Sequence, residues 1–150
     1  MIGIVLGSKS DASYAEEVQK MLESLGISYE IRVISAHRQP EAVREYAQKA
    51  RERGIEVLIA LAGHAAALPG VLASWTILPV IGVPLPTSDL KGVDSLYAIV
   101  QMPGGVPVAS MAIGMAGAKN AALFAAEILA LKDEKVRGAV EEHRRKLREG

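Results

Sequence analysis

Residues 2–11 read Ile2-Gly3-Ile4-Val5-Leu6-Gly7-Ser8-Lys9-Ser10-Asp11, and the fold is decided by how this stretch is read. A short apolar run without polar alternation is the pattern of a strand buried on both faces, as in a parallel sheet. Gly7 lets the backbone turn where a Cβ would clash. Ser10 and Asp11 are of the types that cap helix N-termini, and a helical pattern follows them. Free N–H groups of a first helical turn, with hydroxyls beside them, suit a phosphate or another anion. An ordinary strand–cap–helix junction without a ligand has the same local pattern.

Outward from this stretch, strand and helix patterns alternate. Tyr14, Val18, Met21, Leu22 and Leu25 recur at three and four residues, and Gly26 follows as a C-cap. Tyr29 to Ile34 is a second strand, near an edge, running into Ser35-Ala36-His37-Arg38-Gln39-Pro40. Pro40 suits a first helical turn, with Val43, Tyr46, Ala47 and Ala50 as the buried face and Gly54 as the end. Val57 to Leu61 is a third strand, followed by a small-residue loop, Ala62 to Gly70, and a short helix around Val71 to Trp75. Pro79 to Val83 is a fourth strand closed by Pro84, and Leu85 to Asp94 a polar loop before a short helix through Leu96 to Val100. Val106 to Met111 is a fifth strand, and Gly114 to Gly117 opens an Ala-rich helix from about Ala118 to Leu131.

Five alternations predict an α/β fold: a flavodoxin-like three-layer sandwich on a five-stranded parallel sheet, order 2-1-3-4-5, with an extra C-terminal helix. At 150 residues a single domain is expected, with a core of about residues 1–131 and a charged helix of about 133–148. That helix has only a thin apolar stripe, Val136, Val140 and Leu147, which suits packing on a neighbouring subunit better than a solvated tail. In such sheets ligands bind beyond the carboxyl ends of the strands. The rule gathers four segments: Gly7 to Asp11, Ser35 to Arg38, Ala62 to Pro69, and the segment after Val83.

Composition narrows the function. Lys+Arg and Asp+Glu balance at 17 each, which argues against nucleic acid as the main partner. The absence of Cys removes disulfides, thiolate zinc sites and Cys nucleophiles, and fits a reducing cytosol. No apolar stretch approaches the ~18–20 residues that span a bilayer, so a soluble, cytoplasmic chain without a membrane partner is expected. There is no GxGxxG, no Walker A and no nucleophile elbow. His37 and His64 lack an acidic or thiolate companion at a metal-binding spacing, so no metal site and no cofactor are expected.

His37 follows the second strand beside Ser35 and Arg38, a good place for a general acid–base. A loop His bonded to backbone is the plain alternative. Arg38 adds a side chain that pairs bidentately with phosphate or carboxylate. His64, after Gly63, lines the same cleft or caps the neighbouring helix. His143 belongs to the charged tail and reads as solvated surface.

These segments jointly resemble a known family. Gly7-Ser8-Lys9-Ser10-Asp11, Ser35-Ala36-His37-Arg38, Ala62-Gly63 through Leu68-Pro69-Gly70, Gly92 to Tyr97 and Val100-Gln101-Met102-Pro103-Gly104-Gly105-Val106-Pro107-Val108 are similar, in order, to the N5-carboxyaminoimidazole ribonucleotide mutases of de novo purine biosynthesis. The resemblance runs from Ile4 to about Leu131. It implies transfer of a carboxylate from the exocyclic nitrogen to C4 of the imidazole, through trapped carbon dioxide, without metal, biotin or ATP. It implies substrate contacts at Ser8, Asp11 and Arg38, and a general acid–base at His37. Ser10, Ser35, Ala36, Gly63, His64, Ala65 and Leu68 are the implied pocket lining. The family is typically a homo-octamer acting on a small ribonucleotide.

One loop departs from the pattern. The bacterial mutases usually read Gly-Gly-Ala-Ala-His-Leu-Pro-Gly; here His64 replaces the second Gly and Ala67 the His. The animal-type relatives, which carboxylate aminoimidazole ribonucleotide directly, have Gly-Arg-Ser-Asn, with Arg at the place of His64. Arg38 and the Gln101 to Val108 run favour the mutase class, and direct carboxylation is the alternative. A flavodoxin-like binding module without catalysis is the distant third reading.

Overall fold

A computed structural model describes the whole chain, Met1–Gly150. Five parallel strands, β1 (Ile2–Leu6), β2 (Tyr29–Val33), β3 (Val57–Gly63), β4 (Val80–Leu85) and β5 (Ala109–Ser110), form one sheet in the order β2-β1-β3-β4-β5. Six helices connect and cover them: α1 (Ala12–Ser24), α2 (Pro40–Lys49), α3 (Leu68–Trp75), α4 (Val93–Val100), α5 (Met115–Ala130) and α6 (Glu134–Glu149). The expected flavodoxin-like order is the observed one.

The central strands are apolar at every position because both faces are covered. Ile2, Ile4, Leu6, Val57, Ile59, Leu61, Ile81, Val83 and Leu85 point to one face, where α1, α5 and α6 lie. Val5, Leu58, Ala60 and Val80 point to the other, packed by α2, α3 and Ile99 of α4. The two-residue period of a strand thus assigns each apolar side chain to one of two cores. With one Trp and one Phe in the chain, both cores are aliphatic. The Ala-rich face of α5 (Ala118, Ala121, Ala122, Ala125, Ala126) is fully buried, and small side chains bring its backbone close to the sheet. No helix is long and apolar enough to cross a membrane.

Several boundaries differ from the sequence expectation. Pro84 does not close β4 but lies inside it, opposite Ala62. The Pro84 carbonyl accepts from Gly114 N on the β5 side. Its nitrogen faces that same side, past the Ile81 and Gly82 pairs with β5, so no ladder donor is lost. β5 shrinks from Val106–Met111 to two residues, since Pro107 has no N–H and the segment enters at an edge. α3 begins at Leu68, earlier than Val71, with Pro69 in its first turn. α5 takes in Gly117. The junction after β1 holds a short 3-10 turn, Lys9–Asp11, and Ser8 is its cap: Ser8 Oγ accepts from Ser10 N. Asp11 makes no side-chain cap bond to α1, because that extra turn has already used the capping geometry.

The C-terminal helix is capped by Asp133, whose carboxylate accepts from Lys135 N and Val136 N. Val136 and Val140 are buried against α5 of the same chain, so the first half of the expected stripe is covered internally. Leu147 at its far end is 66% exposed. His143 is half-buried on this helix rather than solvated, because α6 docks onto α5 along its length.

Candidate active site

The carboxyl ends of β1, β2, β3 and β4 open into one cleft of about 470 Å³. Its walls are Gly7, Ser8, Ser10 and Asp11; Ser35 to Arg38; Ala62, Gly63, His64, Ala66, Ala67 and Leu68; and Thr87. Sheet pairing brings them together. Gly7 N donates to Leu61 O (3.2 Å) and Ile34 N to Leu6 O (2.8 Å), so the first three strands end level.

The β1 wall is a hydroxyl and carboxylate cluster. Ser10 Oγ stands 2.9 Å from Ser8 Oγ and 3.3 Å from Asp11 Oδ1, and Asp11 N donates to the Ser8 carbonyl. Asp11 is only 5% exposed. Burial pushes its carboxyl above the ordinary range, opposed by the Ser10 hydroxyl, the Ser8 backbone and the charge of His64. The folded state therefore holds the proton more tightly than the unfolded chain. Its contribution favours folding at low pH and is lost as pH rises from 3.8 through the raised value. Above that range an ionised Asp11 opposes folding. Asp11→Asn is expected to raise the melting temperature at neutral pH by about 2–4 °C, the equivalent of ~1 kcal/mol at this chain length. The gap between variant and wild type should close as pH falls towards 4; a pH-independent gap would rule out this origin.

The β2 wall is a turn tied by its own side chains. Gln39 N donates to Ser35 O (2.8 Å), and Ser35 Oγ accepts from both Arg38 N and Arg38 Nε at 3.3 Å. One edge of the Arg38 guanidinium is thereby fixed, and it has no carboxylate partner in the chain, so its other N–H groups remain for a ligand anion. His37 is exposed and makes no hydrogen bond within the protein. No group of three or more His, Cys, Asp or Glu is placed to hold a metal ion.

The β3 wall is apolar except for His64. Its backbone sits at φ +51°, and Ala66 at φ +32°, both left-handed. His64 Nδ1 lies 3.2 Å from Thr87 Oγ1. A Cβ on Gly63 would fall 1.7 Å from that same Thr87 oxygen, so only glycine leaves the hydroxyl its place.

Of the sequence-predicted residues, Ser8, Ser10, Asp11, Ser35, Ala36, His37, Arg38, Gly63, His64 and Leu68 are brought together. Ala65 is not: it is exposed and points away, because the left-handed residues on either side of it turn the loop. Thr87 was not among the expected residues. The signal for it lay in the strand run continuing past Val83 to Leu85, which places Thr87 beyond a carboxyl end like the other walls.

A doubly wound parallel sheet with such a cleft defines the class of α/β proteins that bind small polar ligands at the strand ends. Within it the chain belongs to the AIR carboxylase family, whose pattern matches residues 1–150 throughout. It is 54% identical to the N5-carboxyaminoimidazole ribonucleotide mutase of Pyrococcus horikoshii, over 99% of this chain and 85% of that protein. It is 53% identical to the mutase of Thermotoga maritima, over 98% of this chain and 85% of that protein. The crystal structure of Treponema denticola PurE superposes with a TM-score of 0.87 at 30% identity, covering 99% of this chain and 91% of that one.

Proposed function

We propose that this protein is an isomerase of de novo purine biosynthesis, converting N5-carboxyaminoimidazole ribonucleotide to 4-carboxy-5-aminoimidazole ribonucleotide. The observation that carries this reading is the near full-length likeness to proteins named as mutases, joined to a cleft in which Ser8, Asp11 and Ser35 to Arg38 converge. Animal-type direct carboxylation is the weaker reading, because the relatives compared carry the mutase name.

The cleft chemistry fits the substrate. Ser8, Ser10 and Arg38 offer donors to a ribose phosphate, and Asp11 accepts from its hydroxyls. The N–C bond of the carbamate breaks with its electron pair left on nitrogen, which takes up a proton. C4 of the imidazole then adds to the freed carbon dioxide and gives up its own proton. One group that donates and then accepts completes the cycle, and His37, exposed beside Arg38 at the cleft, is assigned that task. Ala66, Ala67 and Leu68 supply a small apolar surface on which carbon dioxide is held away from water.

A homo-octamer in the cytoplasm belongs to this reading. Self-association is supported by apolar side chains that the single chain leaves open: Trp75, Ile77 (89% exposed), Tyr97, Val100 and Leu147. The test is a substrate comparison on one preparation, sized by light scattering at eight times 15.9 kDa. The carbamate nucleotide is expected to turn over without ATP, and the rate on aminoimidazole ribonucleotide to be insensitive to physiological carbon dioxide. A rate confined to aminoimidazole ribonucleotide and rising with carbon dioxide would make the protein a direct carboxylase instead.

A further inference from the structure

The β3 wall holds one polar group in an otherwise apolar surface, and it is held there at a cost. A non-glycine residue in the left-handed region costs about 1–2 kcal/mol, and His64 occupies it at φ +51°. Such backbone persists where the surroundings over-determine it, and it concentrates at functional sites. The surroundings here are an interlocked set of three. Gly63 leaves room for Thr87, Thr87 Oγ1 meets His64 Nδ1 at 3.2 Å, and the imidazole is oriented through that nitrogen. The other nitrogen, Nε2, has no partner in the protein, and the ring lines the cleft. A hydroxyl on one ring nitrogen fixes the role of the other: when Thr87 donates, Nε2 carries the proton.

Charged groups stand on several sides of the ring. Asp11 on the β1 wall and Asp94 on α4 are both within its electrostatic reach. Arg38 and His37 stand on the β2 wall of the same cleft. With Nδ1 engaged by Thr87, Nε2 is the ring nitrogen left to donate to a ligand. The cleft therefore has two separate places for negative charge. One is the hydroxyl and Arg38 end. The other is His64, which lines the cleft together with Ala66, Ala67 and Leu68.

We propose that His64 is a substrate-positioning residue whose Nε2–H binds the carboxylate that migrates, holding it against the apolar β3 wall while the phosphate end is gripped by Ser8, Ser10 and Arg38. This rests on the carboxylate-transfer reading. It assigns to His64 a discrimination between the carboxylated nucleotide and the same nucleotide without its carboxylate.

The test is calorimetric binding of 4-carboxy-5-aminoimidazole ribonucleotide and of 5-aminoimidazole ribonucleotide to wild type and His64→Gly. Glycine relieves the positive φ, so the variant is expected to melt at or above the wild-type temperature. Its affinity for the carboxylated nucleotide should fall roughly 10- to 100-fold, the range of one hydrogen bond to a charged group, while that for the decarboxylated nucleotide stays within about threefold. Equal losses for both nucleotides, or no loss for either, overturn the proposal. Failure of the wild type to bind either nucleotide overturns the carboxylate-transfer reading, and this proposal with it.

Discussion

His37→Asn is expected to reduce turnover of the carbamate nucleotide by about 10²–10⁴-fold, the usual contribution of a positioned acid–base group. Asparagine keeps the polarity and much of the shape of the imidazole but cannot take up and return a proton near neutral pH. The fold should not notice the change. The His37 side chain is exposed and has no hydrogen-bond partner, and such surface replacements normally stay within about 0.5 kcal/mol. The turn that carries it is held by Ser35, Arg38 and Gln39, none of which depends on the ring. Parallel kinetics and thermal melts on one preparation check the expectation. A rate within a few-fold of wild type would remove His37 from the proposed chemistry.

The largest stability effect is expected at Gly117. A Cβ there would lie 1.6 Å from the carbonyl oxygen of Ala112 and 2.7 Å from its carbon. Neither side can yield cheaply. The Ala112 turn is tied to β4 at both ends, by Met111 N donating to Gly82 O and Gly114 N to Pro84 O, each at 2.9 Å. On the other side, α5 is seated by five fully buried alanines, so lifting it opens the larger core. Gly117→Ala is expected to lose about 3 kcal/mol or more, at or beyond the upper end of ordinary overpacking. That corresponds to a fall in melting temperature of about 10 °C. The same substitution at Gly138 of α6, where a Cβ meets open space, serves as the control. There alanine should be neutral or stabilising by about 0.5–1 kcal/mol. Equal effects at the two positions would show that helix propensity, and not the Ala112 contact, governs both.

The architecture was legible because buried parallel strands and amphipathic helices leave different periods in a sequence. Val57 to Leu61 and the face from Val18 to Leu25 need no tertiary information to be told apart. What the pattern could not supply was the direction of backbone polar groups. Pro84 reads as a strand terminator unless one knows that its nitrogen faces the side where β5 has already ended. Pro107 is the converse, an apolar-flanked proline that does break the strand read around it. At the site, all four walls lie in segments gathered by the rule that ligands sit beyond strand ends, though Thr87 itself was not singled out. Ala65 was misplaced because the left-handed turns at His64 and Ala66 are invisible to periodicity. Thr87 escaped because its function in the wall depends on Gly63, a residue 24 positions earlier. The strain at His64 was equally hidden, since nothing in a histidine's identity announces its φ.

The pairing of the first strand with late helices sets the order in which a newly made chain can become useful. All residues of the cleft have been synthesised once Thr87 has left the ribosome. Yet Ile2 and Ile4 share their core with Ala118 to Leu129 of α5 and with Val136 and Val140 of α6, which are made later. Until then only α1 covers that face of the central strand and the sheet beside it is incomplete, the condition in which growing chains stick to one another. A premature stop anywhere between α4 and α5 would thus yield a polypeptide that carries every cleft residue but lacks α5 and α6 over the central strands.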